Sequence, residues 1–312
     1  MKKVIGIAFI TCGLTACSDG DLVFENLNFD NVQIQKCINN ELYFKTNNNE
    51  LLLVDFSNNL NGIEGSVLDT LAPLNQPQNF LTNSTNKIYY RTYDSQIKAD
   101  AICAILAPAN PKVTSEFISS PGGKVHYTRM MTPVVSETGV NINYTYTINF
   151  ENVTLSNGSS EIKYATLPYG SYVYDSSRMT FNFTDNFIVC DNVLTSRTSN
   201  EIIKVQLPQD FVFPTVNQKQ TIAINDTNLL RYYVFRKPFT VDEGQECELP
   251  NVAIKEDWQA ANGSLEIESI VVKNTSGTIT GYRHNIKLIQ AQFIKDGSAF
   301  SIADKPLGTY AL

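Results

Sequence analysis

Gly139-Val140-Asn141-Ile142-Asn143-Tyr144-Thr145-Tyr146-Thr147-Ile148-Asn149-Phe150 alternates between polar and apolar or aromatic residues almost without interruption. A period of two puts successive side chains on opposite faces of a strand, so Val140, Ile142, Tyr144, Tyr146, Ile148 and Phe150 share one buried face. After Phe150 the phase shifts by one residue, with Val153 and Leu155 now apolar, which calls for a bulge near Glu151-Asn152. The same stretch returns without a gap at an offset of 138 residues. Gly139, Tyr144, Ile148, Ser160, Ala165, Pro168, Gly170 and Tyr172 match Gly277, Tyr282, Ile286, Ser298, Ala303, Pro306, Gly308 and Tyr310.

Upstream the match continues with small gaps. Tyr89-Tyr90 aligns with Tyr232-Tyr233, Cys103 with Cys247, and Asn28-Phe29 before Cys37 with Asn182-Phe183 before Cys190. We read a tandem duplication, with one repeat over residues 22–174 and a second over 175–312. Residues 51–56, 87–93, 202–207, 229–235, 264–273 and 279–293 are rich in β-branched and aromatic side chains. Asn157-Gly158, Asn262-Gly263 and Asp296-Gly297 read as turns between such runs. Many short strands punctuated by turns predict an all-β protein of two tandem β-sandwich domains. Helical candidates are restricted to residues 66–71, 99–106 and 254–261. The shared Pro-x-Gly-[Ser/Thr]-Tyr pattern reads as a strand-end turn with a packed tyrosine. The first repeat owns the longer loop, residues 57–86, which is Asn-rich and reads as solvated or as a place for binding residues.

The cysteines follow the same duplication. Removing Cys12 with a signal peptide and lipidating Cys17 leaves Cys37, Cys103, Cys190 and Cys247, an even number for an oxidising compartment. Four cysteines allow three pairings, and four buried free thiols are a further alternative. Equivalent positions in a duplicated fold favour Cys37–Cys103 and Cys190–Cys247, each closing a loop of roughly 60 residues worth about 4 kcal/mol in the chain-entropy picture.

The chain begins with Lys2 and Lys3, an apolar run from Val4 to Leu14, and then Leu14-Thr15-Ala16-Cys17. That is the form of a lipoprotein signal, with residues 1–16 removed and Cys17 as the lipidated N-terminus. The run is too short to span a bilayer as a helix. Two or three acyl chains, at about 0.8 kcal/mol per buried CH₂, anchor a protein durably. Ser18-Asp19-Gly20-Asp21 then sets two acids behind the cysteine, and this resembles the export signal of surface lipoproteins in Bacteroidota. The resemblance stops at residue 21. It implies sorting by Ser18, Asp19 and Asp21 to the outer membrane and display at the cell surface, with the periplasmic face as the alternative. Residues 17–21 are then the lipidated linker, and strand-like sequence begins by Leu22.

Composition narrows the function classes. The formal charge of −7 becomes −9 once Lys2 and Lys3 leave, which argues against nucleic acid as a partner. Only His126 and His284 are present, in different repeats and without metal-ligand spacing. Gly170-Ser171 lacks the glycines of a nucleophile elbow, and Pro121-Gly122-Gly123-Lys124 is not a phosphate loop. Asp242, Glu243, Glu246 and Glu248 have oxygen donors suited to calcium but not the spacing of an EF-hand, and read as a solvated acidic loop. No catalytic residue, metal site or cofactor is expected. Fifteen Tyr, seventeen Phe and the single Trp258 permit stacking on sugars, although most belong in a core. Asp69-Thr70-Leu71 resembles the short O-glycosylation acceptor of Bacteroidota, which makes Thr70 a candidate. The expectation is a membrane-anchored, non-enzymatic binding or envelope-structural module. A glycan- or nutrient-binding subunit beside an outer-membrane transporter, and a hydrolase with an unrecognised carboxylate pair, are the alternatives.

Overall fold

The computed structural model describes residues 27–37, 42–55, 73–104, 106, 108–183, 186–241 and 244–312. Cys17, Ser18, Asp19, Asp21 and Thr70 lie outside the described residues, as do the helical candidate at 66–71 and the acids Asp242 and Glu243.

The chain is all-β, with two separate antiparallel sheets of nine strands each among the described residues. The first contains β1 (Gln35–Lys36), β2 (Leu42–Asn47), β3 (Glu50–Asp55), β4 (Gln78–Leu81), β5 (Lys87–Tyr93), β6 (Val113–Ser119), β7 (Lys124–Ser136), β8 (Gly139–Ser156) and β9 (Glu161–Met179). Its order is β1-β2-β3-β5-β6-β8-β7-β4, with β9 on β8. The second contains β10 (Ile188–Cys190), β11 (Val193–Arg197), β12 (Glu201–Gln206), β13 (Gln218–Ala223), β14 (Leu230–Phe235), β15 (Ile254–Lys273), β16 (Ile279–Lys295), β17 (Ser298–Ile302) and β18 (Lys305–Ala311). Its order is β10-β11-β12-β14-β15-β16-β17, with β13 on β15 and β18 on β16. The two sheets follow one plan: β6 and β7 together correspond to β15, and β9 corresponds to β17 and β18.

By contacts the chain forms two compact units. The described residues of the first are 27–55, 79–125 and 149–168; those of the second are 73–78, 126–148 and 169–312.

The duplication reaches individual backbone angles. The predicted bulge in β8 sits at Asn152, φ 51°, and its counterpart 138 residues on is Gln290, φ 47°. On β8 the buried face accordingly switches from Tyr144, Tyr146, Ile148 and Phe150 to Val153 and Leu155. Opposite the residue after each bulge stands a glycine. A Cβ on Gly263 would come within 2.6 Å of the Ala291 Cα, and one on Gly123 within 3.0 Å of a Val153 methyl.

Four readings of the sequence change. Residues 254–261 form no helix but the first half of β15, where Glu256, Trp258 and Ala260 alternate inward. Asn262-Gly263 is no turn between strands: β15 runs through it, with register shifts against β16 on both sides of Asn262. The glycine kinks a continuous strand. Pro-x-Gly-x-Tyr likewise lies inside β9 and β18, and opposite Gly308 the register slips between Ile286 and Lys287. The long loop at 57–86 contains β4, and its end is packed, with Thr82 and Asn86 buried. Asn157-Gly158 and Asp296-Gly297 do turn between strands, and the helical candidate at 99–106 shortens to α1 (Ala99–Ile102).

The disulfides join Cys37 to Cys103 and Cys190 to Cys247, with Cα separations of 5.4 and 6.2 Å. Each fastens the segment that follows β5 or β14 onto its own sheet.

Candidate functional site

The backbone hydrogen bonds beneath those two fastened segments are the same. Tyr93 N donates to Asn49 O and Ile97 N to Asn48 O; Phe235 N donates to Asn200 O and Phe239 N to Ser199 O. Asp94 N donates to Lys112 O, and Arg236 N to Ala253 O. We call these segments flaps, residues 94–112 in the first unit and 236–253 in the second. The pairing sets the equivalence of the repeats by geometry and corrects the sequence alignment at one point. Tyr90 corresponds to Tyr232, so Tyr89 corresponds to Arg231, one residue away from the alignment of the Tyr-Tyr pairs. Each of these tyrosines packs on the equivalent phenylalanine, Tyr90 on Phe29 and Tyr232 on Phe183. A second marker is Asn83-Ser84-Thr85-Asn86 against Asn225-Asp226-Thr227-Asn228, where the first Asn side chain accepts from the backbone N–H two and three residues on.

Under the first flap lies a cleft of about 490 Å³. Its floor is one face of the sheet, with Leu42 from β2, Leu51 and Leu53 from β3, and Tyr89, Arg91 and Tyr93 from β5. Alternation on three adjacent strands puts these side chains together. The flap supplies Ile97, Ala101, Ile102, Ala104, Pro108, Ala109 and Pro111. Three charged side chains line it: Asp55, Arg91 and Lys112. Arg91 is bonded to Glu116 on β6 and lies 5.2 Å from the Tyr89 ring centre. Burial, with the Asp55 carboxylate second, pushes the Tyr89 phenol above its ordinary range. A cleft lined mainly by apolar residue types, with a few placed polar groups, is the usual form of a small-molecule site.

In the second unit the flap is held to its sheet by polar contacts at the equivalent place. Leu53 corresponds to Lys204, whose ammonium donates to the Cys247 carbonyl of the flap at 2.6 Å, and Arg197 donates to Glu246 O at 3.3 Å. Phe239 and Val252 pack on Ile202, Tyr233 and Phe235. The leucine-to-lysine difference is thus one of the contacts by which the second flap is tied to its sheet.

A second cleft, about 440 Å³, lies in the second unit, and Arg231, Asp257, Gln259, Lys295 and Asp296 are among the residues that line it. Arg231 and Asp257 pair at 3.0 Å. Burial nonetheless raises the Asp257 carboxyl above its usual range, against the opposing pull of Arg231. Behind it is a knot the sequence did not reveal. Glu256 accepts from Tyr144 Oη at 3.2 Å, Ser177 Oγ at 2.9 Å and Lys295 Nζ at 2.5 Å. Tyr144 and Glu256 are 3% and 1% exposed, which leaves a substrate no access. Burial, then Glu256, raises the Tyr144 phenol well above its ordinary value, so it stays a proton donor.

His126 and His284 sit on β7 and β16. His284 is fully buried, 2.7 Å from Ser269 Oγ through Nδ1, and stacked on Tyr310. Ser269 is buried too, so the pair is sealed from solvent. Trp258 is core, packed edge-on against Phe300. Glu246 accepts the Gly244 N–H at 3.0 Å, and backbone donors hold its carboxyl below the usual range. Among the described residues no three acids, histidines or cysteines come together as a metal site. No helix among them is long and apolar enough to cross a membrane.

No protein-family model, curated protein or solved structure matches this chain.

Proposed function

We propose that the protein is a non-enzymatic binding module, held on the outer membrane by lipid at Cys17 and displayed at the cell surface, with its ligand site under the first flap. The observation that carries this reading is the contrast between duplicated copies. A cleft of about 490 Å³ is bordered by Leu53, whereas at the equivalent place Lys204 bonds to the flap. Two copies of one architecture need the same packing, so a cleft at Leu53 where the other copy has a lysine bonded to its flap points to use rather than to the demands of the fold. The polar groups that resemble catalytic sets, Glu256 with Tyr144 and Ser269 with His284, are sealed and serve the core.

The test is fluorescence of the uncharged dye N-phenyl-1-naphthylamine on protein purified without its lipid as the Cys17→Ser variant. Emission should rise on binding and be lost in Leu53→Lys, which introduces the lysine of the second copy. Dye binding unchanged in a folded Leu53→Lys protein would remove the site. Glycan capture is a second reading, favoured by the cleft around Arg231, Asp257 and Gln259, whose donors and acceptors suit hydroxyl groups. A glycan array would support it if binding fell with Asp257→Ala.

A further inference from the structure

Charge in the first-unit cleft is unevenly balanced. Arg91 is neutralised by Glu116, and Asp55 stands opposite Lys87 in the β3–β5 pairing. Lys112, at the end of the flap, has no ion pair among the described residues; only its backbone is engaged, with Asp94. The remaining surface is aliphatic, from Leu42, Leu51 and Leu53 below and Ile97 and Ile102 above. Tyr93 is buried to 7% exposure and Tyr89 is half-buried under Arg91, so neither ring lies open as a stacking platform for a sugar.

Resting on the binding reading above, we infer that this cleft takes a small anionic amphipath, an aliphatic body with one carboxylate head set against Lys112. Sugar hydroxyls would need several convergent donors and acceptors, and this cleft has three charged groups, of which Arg91 is already paired with Glu116. The body buries against leucine and isoleucine side chains, where each CH₂ removed from water is favourable. The head meets the Lys112 ammonium, which has no ion pair among the described residues. The protein's overall negative charge does not forbid this, because repulsion from charges beyond about 8 Å is largely screened at physiological salt.

Isothermal titration of the Cys17→Ser protein with decanoate and with decanamide, which has the same chain and a neutral head, tests the assignment. Decanoate should bind about tenfold more tightly at low salt, a preference that salt erodes. Lys112→Glu should abolish the preference while decanamide binding stays, and Leu53→Lys should remove both ligands. Lys112 is exposed, so its replacement leaves folding intact and the result interpretable. Equal binding of the two ligands, or a preference that survives Lys112→Glu, overturns the head-group assignment even where the dye experiment succeeds. Decanoate binding that persists in a folded Leu53→Lys protein, or no decanoate binding at all in a protein that binds the dye, overturns it as well. A negative dye experiment instead defeats the binding reading itself.

Discussion

Glu256 is 1% exposed, and a carboxylate so placed is tolerable only because Lys295, Tyr144 and Ser177 all donate to it. Replacing it leaves the Lys295 ammonium, itself mostly buried, without its partner. Glu256→Ala should therefore cost about 3 kcal/mol in urea unfolding, well beyond a typical surface substitution. His284 behaves differently. Burial holds its imidazole below the ordinary value of 6.5, so the unfolded chain takes up a proton at higher pH than the folded one. Its stabilising contribution is complete above about pH 6.5 and shrinks as pH falls towards the lower folded-state value. The melting temperature of the protein should thus drop between pH 7.5 and 5.5 more than that of His284→Phe. The variant has its own cost of about 1 kcal/mol, from Ser269 losing its partner, and that cost is independent of pH. Parallel melting curves in this range would show that His284 is not the group responsible.

Among elements, β8 and β16 were the most legible, since an alternating run and its copy at an offset of 138 fix both face and bulge. β15 was the least. Trp258-Gln259-Ala260-Ala261 carries helix formers, and Asn262-Gly263 is a turn signal, yet pairing with β14 and β16 overrides both. Gly263 is needed there for contact as much as for its φ of 117°, because the Ala291 backbone occupies the space of a Cβ. Gly277 also has a positive φ, 82°, but open space around it. Gly263→Ala should lose about 3 kcal/mol in chemical denaturation, and Gly277→Ala only about 1 kcal/mol, the ordinary left-handed penalty. Equal losses would mean that the close approach to β16 carries no weight. The candidate cleft was hidden for a different reason. Leu53 and Lys204 become counterparts only once the β3–β5 and β12–β14 registers are known, and the sequence alignment, anchored on adjacent tyrosines, was displaced there by one residue. The N-x-T-N turns at 83–86 and 225–228 were the signal that would have corrected it.

At the scale of the whole molecule, the proposed anchor at Cys17 would set how a ligand meets the first unit. Lipid at Cys17 would tether the first repeat, the one nearer to it in sequence, to the membrane surface. An amphipathic ligand partitions into that surface, and a tethered site samples it at a high effective concentration, so modest intrinsic affinity is sufficient for capture. Anchoring and binding should then separate by mutation. Cys17→Ser should abolish labelling by radioactive palmitate and move the protein from the membrane to the soluble fraction, with the affinity for decanoate in solution unchanged. Replacing Asp19 and Asp21 by Lys should leave palmitate labelling intact but protect the protein from protease added to whole cells. Labelling that persists in Cys17→Ser would disprove the lipid anchor, and protease access that survives both Lys substitutions would detach surface display from the acidic pair.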